Sequence, residues 1–418
     1  MAVFWSSLLP FQSFSPHAES NRLTREAKLA VFDDAWSTIN QRYYDRKFQG
    51  LDWEAQRARF RDLAEKAGSS PELYSVLRQM IASLNDSHTR IYAPEEKFDW
   101  WRPRFITIGI SINEIGGLPV VVQVDRDSAP HRAGVRVGDV IERINGQTAL
   151  ALISQRLGNR LELMSGPSRM RGFSSLMEGL PASIVELSWR TRDDKVKTAS
   201  FQRYWKEREL GVRIRQNGSV AVIEMDGFTK PIAATLANSL KKELRGARAI
   251  VLDFRRNGGG DAEAMIDVAS VFLGNGLDLG HFTDRFGSSY AIATRTKSPF
   301  ISRVLEQTSM PVIVLVSERT SSAAEIFTAA FKAAGRAQII GGETCGCVLA
   351  IRHRHTLPDG GLLDVSEMDY QTPSGNRLEK RGVKPDRTVA VERTDLYDER
   401  DRAMDIALAE FRRRALLN

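Results

Sequence analysis

The sequence predicts a multidomain α+β protein, because its hydrophobic pattern changes twice along 418 residues. Residues 22–103 have helical periodicity, and residues 104–205 form short β-branched runs separated by turn residues. Residues 206–418 alternate buried strands with helices, which predicts a layered α/β core. Hydrophobic residues make up 42% of the chain and charged residues 27%, as in a globular protein.

The helical region is predicted from an apolar stripe and from two N-cap signals. Apolar side chains at spacings of three and four give the first helix one buried face. They are Leu29, Phe32, Trp36, Ile39 and Tyr43. A second helix is predicted after Asp52, and a third begins with Ser70 as its cap and Pro71 as its first residue.

The β region contains the segment DSAPHRAGVRVGDVIERINGQ, residues 127–147. Its short helical turn, its Gly-Asp-Val-Ile run and its strand ending in Asn-Gly resemble a PDZ domain. The resemblance covers roughly a hundred residues. It implies that an extended peptide, such as the C-terminal tail of a polypeptide, adds as a strand near TIGISI, residues 107–112.

Two stretches of the α/β core could carry nucleophilic chemistry. In VLDFRRNGGGDAE, residues 251–263, a strand ends in three glycines that let the backbone approach a ligand. The spacing matches neither a P-loop nor a dinucleotide-binding fingerprint. Ser321 and Ser322 follow the strand PVIVLVS at the start of a helix, where free N–H groups favour an oxyanion. The alternative role for these serines is a helix N-cap.

These two stretches, together with RGVKPD at residues 381–386, resemble the core of the tail-specific, or carboxy-terminal-processing, serine protease family. The resemblance extends from about residue 22 onward, and a PDZ-like domain is the usual companion of this core. It implies a ClpP/crotonase-like α/β protease core that acts on unfolded or C-terminal protein segments and requires no metal or organic cofactor. It also implies Ser322 as the nucleophile, with oxyanion donors on the backbone of Gly259 and Ala323 and with Gly260 beside them.

The general base is where the sequence departs from much of this family. Many members use a lysine 25 positions after the serine, but Cys347 occupies that position here. A branch that resembles the tricorn protease core uses a histidine ahead of the PDZ domain and a glutamate late in the core. That match implies His88 as the base, Ser87 as a supporting residue and Glu379 as the carboxylate that orients the histidine.

Alternatives to these assignments remain. His88 could be a partly buried histidine at a helix end, and Glu379 could be a surface charge beside Lys380 and Arg381. Because the lysine is missing, the same fold could also be a catalytically inactive protein that binds peptides or other ligands. A third interpretation is a PDZ-type adaptor whose core is only a scaffold. We expect His88 to lie within hydrogen-bond reach of Ser322 if the protein is an enzyme.

Other residue clusters are weaker candidates. Cys345 and Cys347 lie one residue apart, so a disulfide between them would be strained and we expect none. His353 and His355 alternate on one strand face, but no third ligand has the spacing of a metal site. We therefore predict no metal.

Charge and hydropathy exclude further classes of protein. The net charge of +7 is mild for this length, and the basic segments are typical of solvated helix faces, so we predict no nucleic-acid partner. No run reaches the roughly 20 apolar residues that span a bilayer. Residues 1–21 are apolar without a basic start, so they are either an N-terminal arm or the remnant of a signal peptide. We favour a periplasmic or secreted location over the cytoplasm. The oligomeric state is left open.

Overall fold

The computed structural model describes residues 24–96, 104–157, 166–295 and 310–417. The arm expected for residues 1–21 lies outside these ranges. Among the described residues, no helix combines the length and the apolar character needed to cross a membrane.

The first part of the chain, here called the helical region (residues 24–96), contains the three expected helices and ends in a short strand. Its elements are α1 (Arg25–Arg42), α2 (Trp53–Lys66), α3 (Ser70–Ala82) and the short strand β1 (Arg90–Tyr92). The five residues of the predicted stripe on α1 are all buried. Asp52 caps α2 by accepting from the Ala55 N–H, as predicted. The cap of α3 is Ser69 rather than Ser70, because the Ser69 hydroxyl accepts the Glu72 N–H.

The middle region (residues 104–207) is mainly antiparallel. Its elements are β2 (Arg104–Thr107), β3 (Ile110–Ile115), β4 (Leu118–Val124), α4 (Ala129–Arg132), β5 (Val140–Ile144), β6 (Gln147–Thr148), α5 (Ala149–Leu157), α6 (Gly166–Ser174), β7 (Ile184–Arg190), β8 (Val196–Gln202) and β9 (Tyr204–Glu207). The strand order β3-β4-β5-β7-β8 leaves β3 at one edge of the sheet. Strand β2 pairs with β9 where the chain enters and leaves this region.

The core region (residues 208–417) alternates strands and helices. Its first half contains β10 (Val212–Asn217), β11 (Val220–Met225), α7 (Lys230–Glu243), β12 (Ala249–Asp253), α8 (Ala262–Leu273), β13 (Asp278–Asp284) and β14 (Ser289–Ala293). Its second half contains β15 (Val312–Val316), α9 (Ala323–Ala333), β16 (Ala337–Gly341), β17 (Ala350–Thr356), β18 (Leu362–Gln371), β19 (Arg387–Thr388), α10 (Arg393–Tyr397) and α11 (Arg402–Leu417).

A largely parallel sheet lies at the centre of the core region, with strand order β10-β11-β12-β15-β16-β19. Its side chains alternate between two faces, as the period of a strand requires. Ala221 and Ile223 pack with α8 and α9 on one face, whereas Val220 and Val222 pack with α11 on the other. Because β12, β15 and β16 are parallel, the loops that follow them meet at one edge of the sheet.

A second sheet, ordered β1-β18-β13-β14, joins the helical region to the core region. Strand β1 pairs antiparallel with β18, with Ile91 opposite Leu363. Leu363 and Val365 of β18 are buried in the same apolar cluster as α1 and α3. The helical region therefore shares its hydrophobic core with the second sheet.

Candidate active site

Ser322 lies in the turn between β15 and α9, at the edge where the parallel strands end. It is the N-cap of α9 and has φ 56° and ψ −127°, a conformation that L residues seldom adopt. Its N–H donates to the Cys347 carbonyl at 2.8 Å and approaches Glu325 Oε2 at 3.2 Å. A strained serine between a strand and a helix is the arrangement that presents the nucleophilic hydroxyl in α/β-hydrolases.

The glycine stretch after β12 lies against this serine. Gly259 has φ +90°, and a Cβ there would come within 2.6 Å of the Ser322 Cβ and 3.0 Å of the Ala323 nitrogen. A Cβ on Gly260 would collide with the Phe228 carbonyl. The structure thus brings Gly259, Gly260 and Ala323 together at Ser322.

The two expected oxyanion donors differ in their hydrogen bonds. In the described part of the chain, no group accepts the Ala323 N–H, as is usual for the first turn of a helix. The Gly259 N–H instead donates to the side-chain oxygen of Asn257 at 2.9 Å. Gly259 can donate to an oxyanion only after that amide has moved.

Asn257 is a site residue that sequence reasoning missed. It is fully buried, and its backbone carbonyl accepts the Ser321 N–H at 3.1 Å. Its Nδ2 is buried and makes no hydrogen bond to any described residue. The one sequence feature that could have identified Asn257 as a candidate is its position directly before three glycines.

Glu325 is a second residue that was missed. It is fully buried on α9, and its carboxylate accepts from the Thr344 hydroxyl at 2.5 Å, from the Gly346 N–H at 2.7 Å and from the Cys347 N–H at 2.9 Å. Burial raises its pKa to about 7, although these hydrogen bonds oppose the rise. The Ser-x-x-Glu spacing from Ser322 is the signature of a capping box and could have identified it.

The expectation that Cys345 and Cys347 stay unbonded is wrong. They form a disulfide, and their Cα atoms are 5.2 Å apart, within the usual range for a disulfide. The bend at Gly346, which has φ +64°, brings the two side chains together. The disulfide therefore closes the loop whose backbone holds Ser322 and Glu325.

Glu379 lies on the other side of this loop. It is buried, and one of its oxygens accepts the Val348 N–H at 2.8 Å and the Leu349 N–H at 3.3 Å. Burial raises its pKa to about 7, and the negative charges of Asp86 and Glu325 add to the rise. Glu379 is thus not a surface charge.

His88 lies in the loop between α3 and β1, half-buried, with Nδ1 3.2 Å from the Ser87 hydroxyl. Asp86 fixes this loop by accepting from the His88 N–H at 2.6 Å and from the Thr89 N–H at 2.8 Å. The Ser366 hydroxyl of β18 also donates to Asp86 at 2.9 Å. The histidine loop is therefore attached to the sheet of the core region.

Contacts between the helical region and the segment at 379–380 place Glu379 near the histidine loop. Lys380 donates to the side-chain oxygen of Gln49, and Gln49 donates to the Tyr43 hydroxyl at 2.8 Å. Burial raises the pKa of Tyr43, and the charges of Asp86 and Glu379 both contribute. Tyr43 therefore lies within electrostatic range of both carboxylates.

The two strand histidines face one carboxylate. His353 Nδ1 and His355 Nε2 lie 3.8 and 3.7 Å from the oxygens of Glu367. Within the described ranges, no group of three or more histidine, cysteine, aspartate or glutamate residues is arranged to hold a metal ion.

Known proteins are similar to both the core region and the helical region of this chain. The model of peptidase family S41 matches residues 219–389, and the model of the tricorn protease C1 domain matches residues 25–82. Among curated relatives, the chloroplastic carboxyl-terminal-processing peptidase 1 of Arabidopsis thaliana is 29% identical over 85% of this chain and 71% of its own length. The carboxyl-terminal-processing protease of a Picosynechococcus strain is 28% identical over 91% of this chain and 87% of its own.

Solved structures show the same fold. The photosystem II D1 C-terminal processing protease matches with a TM-score of 0.55 and 24% identity, over 87% of this chain and 93% of that one. Mature CPAF matches with a TM-score of 0.66 and 13% identity, over 90% and 95%. The family models, the relatives and the fold agree: residues 219–389 match peptidase family S41, and most of the chain is similar to carboxyl-terminal-processing serine peptidases.

Proposed function

We propose that this protein is an endopeptidase that cleaves unfolded or C-terminal segments of polypeptides, with Ser322 as its nucleophile. The observation that carries the proposal is the strained Ser322 turn, packed directly on Gly259 and followed by the unbonded Ala323 N–H. Strain, close glycine packing and an open donor together favour attack on a carbonyl over simple helix capping.

In the proposed mechanism, Ser322 attacks the peptide carbonyl while His88 accepts the hydroxyl proton. An imidazole is suited to this step because its ordinary pKa is near neutrality. The Ser87 oxygen beside Nδ1 can accept the Nδ1 proton, which would leave Nε2 to act as the base. His88 then gives the proton to the leaving amine, and water hydrolyses the acyl-enzyme.

The Ala323 N–H supplies one hydrogen bond to the oxyanion in this scheme. The second comes from the Gly259 N–H once the Asn257 amide has released it. Glu379 supports the imidazolium that forms during the reaction, provided that its carboxyl is ionised. Because its pKa is raised to about 7, the ionised fraction of Glu379 changes with pH near neutrality.

We also propose that the middle region is a PDZ-like domain that holds a substrate segment along β3. The edge position of β3 leaves one side of the strand open to pairing. Helix α6 lies beside it, since the Ser174 hydroxyl is 3.5 Å from the Ile112 carbonyl and Arg169 forms an ion pair with Glu114. A groove between a sheet edge and a helix is the peptide site of PDZ domains.

A cleavage assay tests the proposal. Purified wild type and Ser322→Ala are incubated near neutral pH with an unfolded protein that carries a quenched fluorophore. We expect cleavage by wild type and none above background by Ser322→Ala. If both folded proteins leave the substrate intact, the proposal fails.

A further inference from the structure

Three arginine side chains, Arg208, Arg256 and Arg319, converge beside the Ser322 turn. The Arg208 guanidinium donates to the backbone carbonyl of Arg256 at 2.7 Å. A Cβ on Gly258 would lie 3.9 Å from Arg208 Nη1 and 4.0 Å from the Ser321 hydroxyl. The guanidinium of Arg208 and the residue preceding the proposed nucleophile thus flank the same glycine.

The charges of these arginines are close enough to affect one another. Burial lowers the pKa of Arg208, and the charge of Arg256 lowers it further. Burial likewise lowers the pKa of Arg319, and Arg256 and Arg208 both add to that effect. Like charges held together in a partly desolvated site are unfavourable unless an anion joins them.

Two carboxylates of the described residues act on the cluster, since the charge of Asp226 raises the pKa of Arg208 and that of Glu318 raises the pKa of Arg319. None of the three guanidinium groups lies within 4.0 Å of a carboxylate oxygen in the described part of the protein. The two nearby carboxylates have other partners. Glu318 accepts from the Asn113 side chain at 3.0 Å, and Asp226 pairs with Arg213 at 2.9 Å.

Two of the arginines are also accessible to a ligand. Arg256 and Arg319 line a cavity of about 1410 Å³ between the middle region and the core region. Arg319 is fixed there by its hydrogen bond to the Asn113 side-chain oxygen at 2.6 Å, while Arg256 is exposed. The cavity and the Ser322 turn therefore both border the arginine cluster.

We infer that Arg208, Arg256 and Arg319 form a subsite that binds a carboxylate of the polypeptide substrate. Guanidinium groups suit this ligand, because their planar donors match the two oxygens of a carboxylate. The carboxylate is either an Asp or Glu side chain near the scissile bond or the terminal carboxylate of the substrate. The inference rests on the proposed function, since it names the substrate class of that same site.

Binding is measured apart from cleavage, on the Ser322→Ala background. Fluorescein-labelled peptides carry Glu or Gln at successive positions, each with a free or an amidated C-terminus, and fluorescence anisotropy gives their Kd. We expect carboxylate peptides to bind better than their neutral counterparts. The Glu-to-Gln and free-to-amide pairs distinguish a side-chain carboxylate from the terminal one.

Variants of the three arginines then show which of them produce the preference for carboxylate peptides. Arg208→Gln or Arg319→Gln is expected to weaken carboxylate binding by roughly ten- to a hundredfold and to leave neutral peptides nearly unchanged. Arg256→Gln removes an exposed charge, so it tests the cluster without disturbing the fold. Arg245→Gln, an exposed arginine in the turn after α7, is the matched control for lost charge.

A carboxylate preference that survives in all three variants overturns the inference and assigns recognition to another part of the protein. Equal binding of charged and neutral peptides overturns it too. The same peptides are given to the enzyme with Ser322 intact. If the protein binds carboxylate peptides selectively but cleaves none, the subsite is supported and the proposed peptidase activity is contradicted. If it cleaves peptides without selecting for a carboxylate, the peptidase activity is supported and the subsite is contradicted.

Discussion

At the scale of single residues, the site depends on buried carboxylates that the surrounding backbone stabilises. Glu325 and Glu379 each accept backbone N–H bonds from the segment at 346–349. The match to a family motif made Glu379 a candidate for the site, but the sequence did not predict its burial. It missed Glu325 because a glutamate on a helix is usually solvated, and only tertiary packing desolvates this one.

Stability should fall with pH through the ionisation of Glu379. Its pKa is about 7 in the folded protein against an ordinary 4.5, so the folded state holds this proton more tightly. The contribution of this proton to the free energy of unfolding is fully present below pH 4.5 and is lost as the pH rises to about 7. We expect Glu379→Gln to gain stability relative to wild type between pH 5 and pH 8, by up to about 3 kcal/mol.

Urea denaturation of both proteins at several pH values measures this difference. Glu343→Gln, which changes an exposed glutamate of the same part of the chain, is the matched control. A difference between wild type and Glu379→Gln that stays constant from pH 5 to pH 8 would show that Glu379 is ionised throughout.

At the scale of elements, the parallel strands place three loops at one edge of the sheet. The alternation of strands and helices predicted this, because parallel neighbours bring their carboxyl ends together. The loop between β16 and β17 was harder to predict. Two cysteines separated by one residue seldom form a disulfide, so the Cys-Gly-Cys sequence did not predict one. The bend at Gly346 brings Cys345 and Cys347 close enough to bond.

Reduction of the Cys345–Cys347 disulfide should lower peptidase activity several-fold. The loop holds the Ser322 N–H through the Cys347 carbonyl, and the Cys345 N–H bonds to the Thr320 carbonyl at 2.9 Å. Once the loop is released, it no longer fixes the position of Ser322, the proposed nucleophile. The reaction rate is sensitive to that position. Activity is compared before and after treatment with a dithiol, and thiol counting verifies the reduction.

The double variant Cys345→Ser/Cys347→Ser is the control for this experiment. It should match the reduced wild type and should not respond to the dithiol. Full activity of wild type with two titratable thiols would mean that the loop keeps its shape without the bond.

At the scale of the whole molecule, the proposed site is assembled from both ends of the chain. The hydrophobic pattern predicted a three-part organisation. The sequence did not predict the pairing of β1 with β18, because the paired residues lie 270 to 274 positions apart and local sequence carries no record of such a contact. Sequence similarity, rather than geometry, connected His88 to Ser322.

Asp86 should be important to this assembly, since it binds both the histidine loop and Ser366 of β18. Asp86→Ala leaves several buried donors without an acceptor, so we expect it to lower the free energy of unfolding by about 2–4 kcal/mol. Activity should fall further than that of Asp127→Ala, an exposed control. Thermal denaturation and the cleavage assay measure both effects, and equal behaviour of the two variants would contradict this role.

The central claim is that Ser322 is a nucleophile activated by His88. The most direct measurement is the intact mass of the protein after treatment with a fluorophosphonate, which forms a covalent adduct with an activated serine. The account predicts one adduct per chain, mapped to Ser322 by peptide digestion, absent from Ser322→Ala and much slower to form in His88→Gln. A folded wild type that gains no adduct, or that reacts equally fast without His88, would contradict it.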